Sequence, residues 1–348
     1  MEKKQSRGNR IWKTAAAFAA VTLAAIVVLL LAVILVLLKG PSPAAGRLFA
    51  LSCQETSALK WVPGLFASDT YLQKLMTEGT INRQEVEMSY PIWSGQAENT
   101  LNLYEDNEDT NDGQIMLVDI QESLFKGKLM IIQDPKRVCF GVLDAYGEEQ
   151  EGMFLYEFID AYHGVGGTNA GGFYDPEGNG NGGIPEGIVI SGGELRYGEE
   201  DTVYSNVIGL DAQHHLCLGD MTPAEALEQG IESAVSFAPG PVLVKDGVRQ
   251  QKLGGGINPR TCIGQRADGS ILLLVVEGRK PDSLGATYDD LAELMERYGA
   301  VNAANLDGGS SSLMYYMGQQ LTRGSNIVGM RMLSTAVIVL PEGGDQNG

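Results

Sequence analysis

From Thr14 to Leu38 the chain runs 25 residues without a charged side chain, almost all of them Ala, Val, Leu or Ile. No other feature divides the molecule so sharply. As a helix this run is long enough to cross a bilayer with some tilt, so any globular domain must be built from the residues beyond it. The apolar stretch of a cleaved secretory signal is only about 7–15 residues, which favours an uncleaved anchor. Cleavage near Ser42-Pro43-Ala44 is the alternative, and Cys53 lies too far past the run for a lipoprotein box. Lys3, Lys4, Arg7, Arg10 and Lys13 precede the run, and only Lys39 and Arg47 closely follow it. That asymmetry predicts a single-pass protein with a cytoplasmic N-terminus and the bulk of the chain outside. The expected divisions are a tail at 1–13, a transmembrane helix at 14–38, a juxtamembrane region at 39–113, a catalytic domain at 114–341 and a flexible tail at 342–348.

Charge narrows the choice of partners. The whole chain carries −19, and its first 13 residues carry +4, so the remainder carries −23. Such a field excludes nucleic acid and anionic lipid as partners of the outer part. An anionic substrate would have to be held by a few local arginines and backbone donors. The four cysteines, Cys53, Cys139, Cys217 and Cys262, have no CxxC spacing and read as buried thiols.

Beyond the acidic run Glu105–Gly113, short apolar segments alternate with glycine-rich turns. Strands are expected at Ile115–Ile120, Lys128–Ile132, Val138–Val142, Gly187–Ile190, Val203–Leu210, Pro241–Lys245, Ile271–Glu277, Ala300–Leu306 and Ala336–Leu340. Helices are expected at Phe154–Tyr162, Thr222–Ser233 and Tyr288–Tyr298, with short ones near Ser57 and Tyr71. This mixture predicts an α+β fold, a mixed β-sheet domain of roughly 230 residues with a few helices and Gly-rich loops, preceded by the one apolar helix.

One segment can be read in more detail. Ile271–Val276 is apolar throughout, as in a strand buried on both faces. Thr287 with Asp290 three residues on makes a capping box, and Leu291, Leu294, Met295 and Tyr298 form an apolar stripe that Gly299 ends. The strand Ala300–Leu306 then delivers Asn305 and Asp307. If the two strands are parallel neighbours, Glu277, Arg279, Asn305 and Asp307 converge at one edge. The next turn, Gly308-Gly309-Ser310-Ser311-Ser312, could present bare N–H groups to an anion.

Six motifs occur in order: Thr168-Asn169-Ala170-Gly171-Gly172-Phe173, Ala238 to Val244, Pro259-Arg260-Thr261-Cys262-Ile263-Gly264, Glu277-Gly278-Arg279, Gly285-Ala286-Thr287, and Asn305 to Ser312. Together they resemble the phosphodiester glycosidase family over roughly Lys126 to Leu340. Ser310 stands where that family has a third glycine, Leu313 where Thr is common, and Cys262 replaces Ala.

The resemblance implies hydrolysis of a sugar-1-phosphodiester at the anomeric carbon; the anchor and the acidic exterior suit a bacterial cell surface, with a sugar-phosphate linkage in a wall or capsular polymer as the expected substrate. A carboxylate can stabilise the oxocarbenium-like transition state as nucleophile or base, while a phosphate leaves readily once its charge is neutralised. The expected catalytic residues are Asp307 and Glu277, with Arg260 and Arg279 on the phosphate. Asn169 and Asn305 are expected on sugar hydroxyls or an acetamido group. Gly171, Gly172, Thr261, Gly308, Gly309 and Ser311 are expected to line the pocket. No cofactor or metal is expected; calcium at Glu105–Gly113 or at Asp175, Glu177, Asn179 and Asn181 is the alternative, against which the second segment reads better as a lid loop. The rival functions are a non-catalytic glycopolymer-binding, exopolysaccharide-associated surface protein, and a phosphodiesterase cutting the P–O bond. His163, His214 and His215 form no metal cluster that would favour the second rival.

Overall fold

The strand Ile271–Val276 is the spine of the structure. Successive strand side chains point to opposite faces, and here both sets are buried. Ile271, Leu273 and Val275 enter one apolar cluster, while Leu272, Leu274 and Val276 enter another. Each such side chain contributes about 1.5–3 kcal/mol of transfer free energy.

The computed structural model describes residues 2–56, 59–77, 107–109, 114–325 and 329–343. Its largest sheet has eight strands, in edge-to-edge order Asn107–Asp109, Ile115–Gln121, Lys126–Ile132, Ile271–Val276, Arg260–Arg266, Ala300–Asn305, Val242–Lys245 and Val248–Arg249. A five-stranded sheet runs Glu194–Tyr197, Val189–Ser191, Ile231–Ser236, Tyr204–Asp211, Leu216–Met221. Another runs Gln319–Gln320, Met314–Tyr316, Gly166–Asn169, Thr335–Val339, Val138–Val142. The central cluster draws Met130 and Leu273 from the first sheet, Ile208 and Val235 from the second, and Phe140 and Val337 from the third. One core therefore joins all three.

Six α-helices flank these sheets among the described residues: α1 (Glu2–Lys39), α2 (Pro43–Gln54), α3 (Asp69–Thr77), α4 (Leu155–Ala161), α5 (Pro223–Glu228) and α6 (Tyr288–Arg297). α6 covers the outer face of the large sheet, packing Leu291, Leu294 and Met295 against Leu272 and Leu274. It begins as expected: Thr287 Oγ1 accepts from Asp290 N, and the Asp290 carboxylate accepts from Thr287 N at 2.8 Å. Gly299, at φ 82°, stops it. In α1, Trp12–Lys39 is long and apolar enough to cross a membrane, a property that a signal sequence would share.

The α+β class stands, with four differences in detail. The strands Ile271–Val276 and Ala300–Asn305 run parallel but are not neighbours; Arg260–Arg266 lies between them, antiparallel to both. The helix expected over Thr222–Ser233 ends at Glu228, because Gly230 takes φ 77° and Ile231–Ser236 pairs as a strand with Tyr204–Asp211. The juxtamembrane stretch after Gly40 is helical: Ser42 caps α2 by accepting from Ala45 N, and Pro43 occupies its first turn, where a missing N–H costs nothing. The strands Gly166–Asn169, Leu216–Met221 and Arg260–Arg266 were not expected; their glycines and polar residues mask the alternation.

Candidate active site

The inserted strand explains how the motifs meet. Arg260–Arg266 starts where its two neighbours end, with Arg260 opposite Val276 and Cys262 opposite Asn305. One end of the sheet therefore carries Arg260, Thr261, Glu277, Arg279, Asn305 and Asp307. The third sheet joins there. Asp307 N donates to Ala170 O at 2.9 Å. Asn169 Nδ2 donates to Asp307 O at 2.7 Å, while its Oδ1 accepts from Thr261 Oγ1 at 2.8 Å and Leu313 N at 3.3 Å. Asn169 and Thr261 are thus fully engaged inside the protein, and they fix the backbone that carries Asp307.

Asp307 is partly buried as a residue, but its carboxyl group is enclosed. Desolvation pushes it up to about 7. Ser311 and the N–H of Gly308, 2.8 Å from Oδ1, pull the other way, and the negative charge of Glu186 adds to the rise. A carboxyl poised near neutrality suits proton transfer or attack at an electron-poor carbon.

Glu186 was not among the expected site residues. Its N–H donates to Gly172 O at 2.8 Å, and its Oε2 lies 3.3 Å from where a Cβ on Gly172 would be. Burial raises its carboxyl as well, opposed by Lys60 and assisted by Asp175. No local sequence signal points to it; the bridge of Phe173 to Pro185 folds the Pro185-Glu186-Gly187 loop back over Gly171-Gly172. Beside this pair, Arg331 forms a two-pronged bridge to Asp175 at 2.6 and 3.2 Å, donates to Gly180 O at 3.0 Å and lies over the Phe173 ring. Asp175 also accepts from Gly180 N at 2.7 Å, so this first acid of the glycine-rich loop is committed to Arg331 and the loop's own backbone.

The two expected phosphate ligands are adjacent. Arg260 is buried, stacked 4.0 Å over the Tyr288 ring, and donates to Ala286 O at 3.2 Å and Gly256 O at 2.6 Å. Arg279, in the left-handed region at φ 57°, donates to Asn258 Oδ1 at 3.1 Å and Thr56 Oγ1 at 2.8 Å. Its guanidinium is pulled down by burial first and by Arg260 next, with Glu55 and Asp307 opposing. Two guanidinium groups close enough to repel each other demand an anion.

The predicted four-way convergence is only partly realised. The Arg279 guanidinium responds to the Asp307 carboxylate, whose own nearest cationic influence is Arg331, whereas Glu277 turns to Arg323. Its Oε1 accepts from Arg323 N at 2.8 Å and its Oε2 from Arg323 Nε at 2.7 Å. It lines a separate cleft of about 300 Å³ with Asp119, Lys126, Lys128 and Asp282. Asn305 is fully buried, with Nδ2 donating to Leu306 O at 2.5 Å. The glycine turn keeps most of its donors engaged: Gly308 N is held by Asp307, Gly309 N by Pro259 O, Ser311 N by Gly308 O and Ser312 N by Gly309 O. Gly171 N and Gly172 N likewise donate to Thr335 Oγ1 and Ser236 O. Gly172 is needed for close approach, since a Cβ there would sit 2.9 Å from the Phe237 ring.

No group of three or more His, Cys, Asp or Glu among the described residues is arranged to hold a metal ion. The acidic run Glu105–Gly113 lies outside the described residues apart from the strand Asn107–Asp109.

The phosphodiester glycosidase family profile matches residues 162–340, more than half of the chain. The chain belongs to the phosphodiester glycosidase family. The zebrafish N-acetylglucosamine-1-phosphodiester alpha-N-acetylglucosaminidase catalytic domain, described as auto-inhibited by its pro-peptide, shares the fold at a TM-score of 0.54 and 19% identity, over 74% of this chain and 89% of that one. A hypothetical protein from Synechocystis aligns at a TM-score of 0.45 and 17% identity over 65% of this chain and 61% of that one. In sequence, the SPbeta prophage-derived uncharacterized protein YomE of Bacillus subtilis is 35% identical over 113 residues. That match covers 31% of this chain and only 18% of the relative's length. The profile shows the family and the zebrafish domain shows the fold.

Proposed function

We propose that the protein hydrolyses a sugar-1-phosphodiester at the C–O bond of the anomeric carbon, releasing the sugar and a phosphomonoester. The observation that carries this reading is the enclosed carboxyl of Asp307, pushed up to about 7, within electrostatic reach of Arg279 beside Arg260. In this reading Arg260 and Arg279 neutralise the leaving phosphate, which then needs no strong general acid. As C1–O breaks, its electron pair stays on the phosphate oxygen and positive charge grows on the sugar ring. Asp307 as carboxylate stabilises that charge, by attack or by taking a proton from the water that adds to C1. Glu186, across Gly172, is the second carboxylate of the pair. Asn169, Thr261, Asn305 and Ser311 set the backbone and the hydrogen bonds of Asp307 rather than contacting substrate.

We further propose a single-pass topology with a cytoplasmic N-terminus, an extracytoplasmic domain and a cell-surface glycopolymer as substrate. The apolar helix and the basic flank before it support this. The test is hydrolysis of an N-acetylglucosamine-1-phosphodiester in oxygen-18 water by wild type, Asp307→Asn and Glu186→Gln. Label in the sugar, with a loss of about 100-fold or more in kcat for Asp307→Asn, is expected; removing one catalytic acid–base group typically has an effect of that order. Label in the phosphate would refute C–O cleavage. Polymer retained without any hydrolysis would support a binding protein instead.

A further inference from the structure

The cleft beside Glu277 has no part in the proposed reaction. At about 300 Å³ it falls at the lower end of the size range of ligand sites, roughly 300–1,000 Å³. Its walls carry three cations, Lys126, Lys128 and Arg323, and three carboxylates, Asp119, Glu277 and Asp282. All six are paired. Lys128 lies 3.0 Å from Asp119, and Lys126 lies 3.0 Å from Asp282. Arg323 donates through Nε to Glu277 at 2.7 Å and through Nη1 and Nη2 to the two oxygens of Asp282 at 3.3 and 3.1 Å. Backbone groups tie the walls together. Arg323 N donates to Glu277 at 2.8 Å, and Ser283 Oγ donates to Glu277 O at 2.8 Å while accepting from Lys126 N at 2.9 Å. Ile120 and Leu321 supply the apolar part of the lining.

The cleft lies in line with Asp307. Val276 pairs with Gly127 on one side and with Arg260 on the other, so cleft and site share one end of the large sheet. Counted from Ala300–Asn305, which leads to Asp307, Ile271–Val276 is two strands away and Lys126–Ile132 is three. At about 4.8 Å per strand, the cleft floor is roughly 10–14 Å along the sheet from the strand that carries Asp307. One loop touches both places. Arg323 lines the cleft, and Ser325 Oγ donates to Gly309 O, in the turn after Asp307, at 3.3 Å.

We propose that this cleft is a second sugar subsite, which takes a neutral, hydroxyl-rich ring of the same chain whose phosphodiester is cut at Asp307. The inference rests on the phosphodiester glycosidase reading for that connection, not for the chemistry of the cleft. Charge selects the ligand. Equal numbers of cations and carboxylates cancel, so no net field draws an anion. A phosphate would have to break an ion pair to find a donor, which is costly where a partner is buried, as Glu277 and Lys128 largely are. A hydroxyl both donates and accepts, so it can bridge an ammonium and a carboxylate with their pair intact. Asp282 stays ionised as an acceptor, its carboxyl pulled down to about 2 by Arg323 and Lys126. The C–H face of the ring would lie on Ile120 and Leu321.

The full-length protein in bilayer discs provides the test. Saturation-transfer NMR and titration calorimetry would be run with neutral trisaccharides of N-acetylglucosamine, glucose, mannose and galactose, and with inorganic phosphate as the anionic comparison. The proteins are wild type, Lys126→Ala, Asp282→Ala and Asp307→Asn. The side chains of Lys126 and Asp282 are 40% and 45% exposed, so either substitution should leave the fold intact, as thermal melts would verify. A hydrogen bond to a charged group is worth roughly a factor of ten or more in affinity. At least one trisaccharide should bind wild type and Asp307→Asn alike, and bind Lys126→Ala and Asp282→Ala about tenfold more weakly. A sugar phosphodiester extended by that trisaccharide should have a lower KM than the unextended one, and both cleft variants should erase the difference. Failure of every trisaccharide to bind wild type, or equal binding by the folded cleft variants, overturns the inference. So does phosphate that binds wild type and is lost in the cleft variants. Trisaccharide binding that the cleft variants lose, in a protein that hydrolyses no diester, would remove the glycosidase reading and leave the sugar cleft standing.

Discussion

Replacing Asp307 by Asn should make the protein more stable at neutral pH while stopping catalysis. The magnitude comes from the carboxyl's environment. Its value rises from 3.8 to about 7 in the folded state, mainly through desolvation. Three units at about 1.4 kcal/mol each bound the cost of ionising it at about 4 kcal/mol, and the partial exposure of the residue reduces that to roughly 2–4 kcal/mol. The sign is the reverse of a salt-bridged aspartate. The folded state binds the proton more tightly than the unfolded state, so stability is highest below about pH 4. It falls as pH rises to about 7 and is flat beyond. Asn has no charge to desolvate. It keeps an acceptor for Gly308 N, and the Ser311 hydroxyl can rotate to accept from its amide. Wild type and Asp307→Asn should therefore melt together near pH 4 and diverge by several degrees by pH 8, at about 2–4 °C per kcal/mol for a domain of this size. Thermal melts in half-unit pH steps would check this. A difference independent of pH, or one that shrinks between pH 4 and 8, would refute the assignment of an enclosed, neutral-prone carboxyl.

The other expectations concern residues around it. Glu277→Gln should weaken the bridge to Arg323, which is about half exposed, at a cost of about 1 kcal/mol in denaturant melts, and should lower kcat far less than Asp307→Asn does. An equal loss in kcat would restore Glu277 as a catalytic carboxylate. Asn169→Ala should strip Thr261 Oγ1, Leu313 N and Asp307 O of a shared buried partner, costing about 2–4 kcal/mol and lowering kcat through the misplaced Asp307. A variant with wild-type stability would contradict the clamp role.

The sequence announced the backbone of the site better than its chemistry. Ile271–Val276, α6 and Ala300–Asn305 were legible because apolar runs and capping boxes are local signals. That Ile271–Val276 and Ala300–Asn305 deliver residues to one end of a sheet was also legible in outline. The intervening strand was not, since Arg260-Thr261 and Gly264-Gln265-Arg266 read as polar although every residue from 260 to 266 is buried. Their polar groups are satisfied by partners far along the chain, such as Gln265 Oε1 with Leu216 N at 2.7 Å. The roles of single side chains were least legible. Nothing local says that Asn169 faces inward, that Glu277 answers Arg323 some 46 residues later, or that Glu186 folds back over Gly172. Glu55 lies about 200 residues from its partner Arg260, in a stretch read as linker.

The joint between α1 and α2 carries a spatial consequence. Leu38 at the end of the apolar helix packs with Ala50, Leu72 and Leu75, and Tyr71 donates to Leu38 O at 2.9 Å. Three residues and a 12-residue helix separate Lys39 from Glu55. At about 1.5 Å per helical residue and at most about 3.6 Å per extended one, Glu55 and the Arg260 it pairs with lie no more than roughly 30 Å from the helix end. In a bilayer crossed by α1, the pocket would hang just above the headgroups on a short, stiff arm. If the substrate is the surface polymer proposed above, only its membrane-proximal end would come within reach, and that reach would be measured in sugar units rather than chain lengths.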